Sequence, residues 1–79
     1  MVKRIVTYDV RQGNDYADFY TMVEKYNAKK LTESTYEFNT NLNQESFRSM
    51  LRSAFSRRDL VYYISTNKEG QLFYEKITF

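Results

Sequence analysis

The chain has 79 residues, a net charge of +2, no cysteine, histidine or proline, and 18% aromatic residues, eight of them tyrosine. That length fits one domain with a core that is marginal alone, while the missing cysteines and histidines exclude disulfides, structural zinc and the commonest general base. The slight charge does not by itself argue nucleic-acid binding, the aromatic content excludes disorder, and no apolar run approaches a membrane span or a charged-then-apolar leader, so a cytoplasmic protein without membrane attachment is expected.

Residues 2–9 read as a strand, an apolar, β-branched run through Ile5, Val6 and Thr7 that ends on the carboxylate of Asp9, followed by a loop from Val10 to Asn14. An acid that closes a strand beside a loop stands where sheets expose chemistry. Tyr16, Phe19, Tyr20, Val23 and Tyr26 then recur at steps of three and four, one face of an amphipathic helix. Asp15 and Asp18 in its first turn, and Lys25, Lys29 and Lys30 at or beyond its last, complement the helix dipole, and Asn27 suits a left-handed stop.

From Ala28 to Thr40 the β-branched and aromatic residues lack a helical period, and the stretch is too long for one ordinary strand. It divides near Glu33-Ser34 into two strands joined by a tight turn or bulge. Asn43 is a good N-cap for a second helix, Glu45 favours its first turn, and Leu42 with Phe47 has staple spacing. Phe47, Met50, Leu51, Ala54 and Phe55 trace its buried stripe, with Arg48 and Arg52 one turn apart beside it. Leu60 to Thr66 reads as a strand, 67–70 as a turn, and Gln71 to Thr78 as a last strand with Leu72 and Tyr74 alternating against Phe73 and Ile77.

The order is βαββαβ plus one strand, an α+β, ferredoxin-like single domain with an antiparallel sheet and both helices on one face. The other sheet face is left bare, and strand alternation puts a second apolar set there. A homodimer packed sheet to sheet covers it most simply, with the last strand, ending at Phe79, free to pair with an edge of the other subunit.

The series Ile5-Val6-Thr7-Tyr8-Asp9, Asp15-Tyr16, Leu31-Thr32-Glu33-Ser34-Thr35-Tyr36-Glu37, Leu42, Phe47 and Asp59-Leu60 resembles the small bacterial SinR-like proteins over nearly the whole chain. These are similar in turn to the second of the CRISPR-associated adaptation proteins and to the VapD toxins. The resemblance implies a ferredoxin-like homodimer in which the aspartate closing the first strand, here Asp9, faces its mate and serves divalent-metal-dependent nuclease chemistry. It also aligns Ser34, Tyr36 and Glu37 with the Ser, Phe and Glu of a Ser-Val-Phe-Glu element. The loop after Asp9 departs from the nuclease-like members by carrying only Arg11 where they are richer in acids and bases.

The expected cofactor is magnesium or manganese, with no zinc and no organic cofactor, since only oxygen donors are available. Two Asp9 carboxylates across a twofold axis would repel until an ion neutralised them; the competing reading is an Asx-turn onto backbone amides near Arg11. Glu33, Ser34 and Glu37 are candidates for groups supporting that ion or touching phosphate, or else satisfy the turn and solubilise a strand face. Arg11, Arg48, Arg52, Lys29 and Lys30, with Lys25, Arg57 and Arg58, are the basic groups available to a phosphate backbone, although a solvated helix face looks the same. Tyr8, Tyr62, Tyr63 and Tyr74 stack on bases or pack in the core or dimer seam. Three functions follow: a metal-dependent endonuclease, a non-catalytic dimer that binds nucleic acid or protein, and a VapD-type ribonuclease toxin.

Overall fold

The computed structural model describes residues 2–9, 17–56, 59–66 and 71–79. Along the chain lie β1 (Val2–Asp9), α1 (Ala17–Lys25), β2 (Lys29–Thr32), β3 (Thr35–Thr40), α2 (Gln44–Ala54), β4 (Leu60–Thr66) and β5 (Leu72–Lys76). All five strands form one antiparallel sheet in the order β2-β3-β1-β4-β5. The first four interleave as a split βαβ pair requires, and β5 extends the sheet beyond β4, so the full order departs from the strict ferredoxin-like one while the α+β class is as read.

Local chemistry explains the ends of the elements. Asn27 has φ 51°, the left-handed conformation that asparagine tolerates, and it stops α1. The β2–β3 turn falls at Glu33-Ser34, where Thr32 Oγ1 accepts the Ser34 N–H at 3.3 Å, and the pairing shifts between Lys30 and Thr32 as a bulge does. Asn43 Oδ1 accepts the Ser46 N–H at 2.8 Å, capping α2. Asp59 is buried and takes the Ser56 N–H at 2.8 Å, which ties the start of β4 to the residues just after α2.

Alternation gives the sheet two unlike faces. Val6 and Tyr8 of β1, Tyr36 and Phe38 of β3, and Val61 and Tyr63 of β4 are buried with Phe19 and Met22 of α1 and Phe47, Leu51 and Phe55 in and just after α2. Phe38 touches a ring of each helix, Phe19 at 6.1 Å and Phe47 at 5.7 Å between centroids, so both helices cover the same face. Phe19 also meets Tyr8 at 5.0 Å, Tyr36 at 5.4 Å and Phe55 at 4.9 Å, an aromatic cluster in which each pair adds about 0.5–1.5 kcal/mol beyond area burial.

The α1 stripe differs from its expected membership. Tyr20 is 46% exposed and Met22 is buried. With Phe19, Val23 and Tyr26 packed on the core, a rotation of 100° per residue carries position 20 about 100° from Phe19 to one flank, whereas position 22 lies about 60° to the other side, next to Tyr26 and against the core. Tyr16, Asp15, the 10–14 loop, Arg57, Arg58 and the 67–70 turn lie outside the described residues.

Candidate functional site

On the bare face Ile5 stands beside Ile64, Ile64 beside Tyr74, and Thr7 beside both Thr35 and Tyr62. Leu72 and Tyr74 are each 75% exposed, and the Tyr62 and Tyr74 rings lie 6.5 Å apart. A hollow of about 100 Å³ between Lys3, Ile5, Ile64, Ser65 and Leu72 belongs to this surface. Contiguous exposed apolar side chains in cross-strand register mark an interaction surface more often than a solvated one.

Asp9 closes β1, is exposed, and has the same parity as Ile5 and Thr7, so it belongs to the bare face. It stands opposite Leu60 and borders a hollow of about 160 Å³ with Thr7, Tyr8, Leu60 and Tyr62. The neighbouring groups are hydroxyls and apolar carbons. Among the described residues Asp9 is the one carboxylate on that hollow, and they contain no group of three acid, histidine or cysteine side chains able to hold a metal ion. One exposed carboxylate fits a magnesium or manganese ion that keeps most of its water, and a second copy would be needed for a fuller oxygen set.

Ser34 and Glu37 part company around Asp9. The Tyr8 N–H donates to the Ser34 carbonyl at 3.1 Å, and the Tyr8 hydroxyl to the Glu33 carbonyl at 3.4 Å, so the β2–β3 turn is fastened to the residue preceding Asp9. Glu37 instead pairs across from Ile5, four residues and about 13 Å along β1 from Asp9 at ~3.3 Å per residue. Its carboxylate lies 3.3 Å from Lys3 Nζ, with Lys29 the residue opposite it on β2. Lys30 meets Glu33 at 3.3 Å, an exposed pair of little energetic weight. Arg11 lies outside the described residues.

Arg48 and Arg52 hold the end of the chain. Arg48 grips Glu75 with two nearly parallel bonds, Nε to Oε2 at 2.6 Å and Nη2 to Oε1 at 2.8 Å, while Glu45 stands 3.7 Å from its Nη1. Glu75 Oε1 also accepts from Tyr63 Oη at 2.7 Å and from Gln44 Nε2 at 3.3 Å. Arg52 Nε donates to the Thr78 carbonyl at 3.0 Å. The guanidinium of Arg48 holds Glu75 down to about 2, with the Tyr63 and Gln44 donors adding to the effect against the opposing pull of burial. Burial, followed by the bond to Glu75, raises Tyr63 above its ordinary value, and the same carboxylate raises Arg48. A phosphate that sought Arg48 would have to displace this carboxylate.

The tyrosines divide by strand parity. Tyr8 and Tyr63 are core residues, and Tyr62 and Tyr74 face outward on the bare side. Sequence reading passes over Arg4, which is 5% exposed, donates from Nη1 to Ser65 Oγ at 3.2 Å and from Nη2 to the Leu42 carbonyl at 3.4 Å, and lies 5.4 Å from the centre of the Phe47 ring. Its even position in β1, shared with Val6 and Tyr8, is the only signal of its burial.

No protein-family model, curated protein or solved structure matches the chain. Among the described residues no helix is long and apolar enough to cross a membrane.

Proposed function

We propose that this protein is a small homodimer of the SinR-like, CRISPR-adaptation-like kind that works on nucleic acid in the cytoplasm as a metal-dependent endonuclease. One observation carries the reading: Asp9, the one carboxylate that the described residues bring to the hollow, ends a central strand on the sheet face that the helices leave bare. A mate covering that face would bring a second Asp9 to the seam. The paired carboxylates would hold magnesium or manganese, and the ion, when bound, supplies charge neutralisation and water activation at a phosphodiester. The chain's own part is positional: Tyr8 is fastened to Ser34 and Glu33 and packed on Phe19, which fixes the strand end that carries Asp9.

A non-catalytic dimer that binds nucleic acid or protein is the second reading. It is favoured by the single carboxylate that the described residues bring to the hollow and by the occupation of Arg48 with Glu75. Cleavage of single- and double-stranded RNA and DNA, assayed with magnesium or manganese beside an Asp9→Asn variant, separates the two. The endonuclease reading expects metal-dependent cleavage by the parent chain and its loss in the variant. Cleavage that survives the substitution rejects Asp9, and binding without cleavage by the parent favours the module.

A further inference from the structure

Residues opposite one another in an antiparallel pair carry their side chains on the same side of the sheet, so strand register sorts the bare face into rows that run across the strands. Toward the Lys3 end the rows on β1, β4 and β5 are apolar: Ile5 stands beside Ile64, Ile64 beside Tyr74, and Leu72 lies beyond. Toward the Asp9 end their character changes. Thr35, Thr7, Tyr62 and Lys76 form one row across β3, β1, β4 and β5, and Asp9 with Leu60 forms the next. A mate held by the apolar rows leaves this end at the rim of the seam, where a hollow that is to admit a phosphodiester has to stay open.

Three groups on that end lie along one track. Asp9 and Tyr62 line the same hollow, and Tyr62 is only half-buried. Its plane is inclined by 52° to that of Tyr74, so the two rings form no parallel slot, and a base stacks on the accessible face of one ring. Lys76 stands opposite Tyr62 on β5 and is exposed. With strands ~4.8 Å apart and residues ~3.3 Å apart along them, the register sets the Lys76 backbone about 12 Å from that of Asp9, with Tyr62 between. That is the reach of a few nucleotides at ~3.4 Å per stacked nucleotide of one strand. A carboxylate able to hold a metal-bound phosphate, an aromatic face and a cation follow one another on one side of the sheet.

Resting on the nucleic-acid reading above, we infer that Tyr62 and Lys76 make the Asp9 site selective for single-stranded nucleic acid: a base beside the phosphate at Asp9 stacks on Tyr62, and a phosphate further along the strand pairs with Lys76. An unpaired base is free to lie on an aromatic side chain, whereas a duplex keeps its bases stacked on one another and offers the ring only its backbone. Every base has a π-face, so Tyr62 selects strandedness rather than sequence.

The test is an anisotropy titration of the full chain with labelled single-stranded and duplex oligonucleotides, of RNA and of DNA, without added metal and again with calcium. The parent is expected to bind single strands about tenfold more tightly than duplexes. Tyr62→Leu should weaken single-strand binding about tenfold and leave duplex binding unchanged, and Tyr62→Phe should keep the parent's affinity. Lys76→Ala should reduce the slope of log affinity against log salt by about 0.7, the loss of one phosphate contact on a single strand. Far-UV circular dichroism and sedimentation check that each variant folds and assembles as the parent does. A parent that prefers duplexes, or a Tyr62→Leu variant of parental fold that binds single strands as the parent does, overturns the inference and leaves nucleic-acid binding intact. If Tyr62→Leu changes fold or sedimentation, Lys76→Ala decides alone, and an unchanged slope overturns the inference. A parent that binds neither form in either condition overturns this inference and the nucleic-acid reading together.

Discussion

Glu75 gathers Arg48, Tyr63 and Gln44 onto one carboxylate, which joins α2 to β4 and β5. Truncation to alanine strands the Tyr63 hydroxyl without its acceptor, so Glu75→Ala should cost about 2 kcal/mol in urea denaturation, and Glu75→Gln, which keeps an acceptor oxygen, less. The network also sets a pH response. Glu75 is lowered from 4.5 to about 2 in the fold, so its contribution is complete above pH 4.5, where the unfolded chain is also ionised. As the pH falls the unfolded chain takes up the proton first, and the stabilisation drains away until about pH 2. Stability measured across that interval should fall more steeply for the parent than for Glu75→Gln.

Each helix owes its limits to an asparagine. Asn43 accepts the Ser46 N–H, and Asn43→Ala should lower stability by about 1 kcal/mol, read as a lower midpoint in thermal or urea unfolding without change of fold. Such local signals were legible in the residues: the cap, the left-handed Asn27 and the turn at Glu33-Ser34 all depend on neighbours a few positions away. Long-range partners were not. Arg48 at one turn from Arg52 looks like a phosphate-facing pair until Glu75, 27 positions on, is brought against it. Nothing local reveals that Ser65, 61 positions from Arg4, is its hydrogen-bond partner, or that Glu37 leans toward Lys3 while Ser34 stays near Asp9. Asp9 itself was readable as an exposed strand-ending acid; its second carboxylate, if the endonuclease reading holds, comes from outside the chain.

The whole molecule presents one covered sheet face and one bare face, and the bare one tests the dimer. Leu72 and Tyr74 are 75% exposed in the single chain, so charging them removes nothing from its core. A Leu72→Lys, Tyr74→Lys variant should therefore keep the far-UV spectrum of the parent and sediment as a monomer, while a parent dimer indifferent to both charges would move the seam elsewhere. The two rims of the sheet are also unlike. β2 is four residues long, wholly exposed, studded with Lys29 and Lys30 and interrupted by a bulge, whereas β5 carries Leu72 and Tyr74. Open-ended stacking of sheets into a fibre needs a receptive rim on both sides of every molecule. The short, lysine-studded β2 side is a poor template for a further strand, so growth through β5 has no matching rim opposite it along β2.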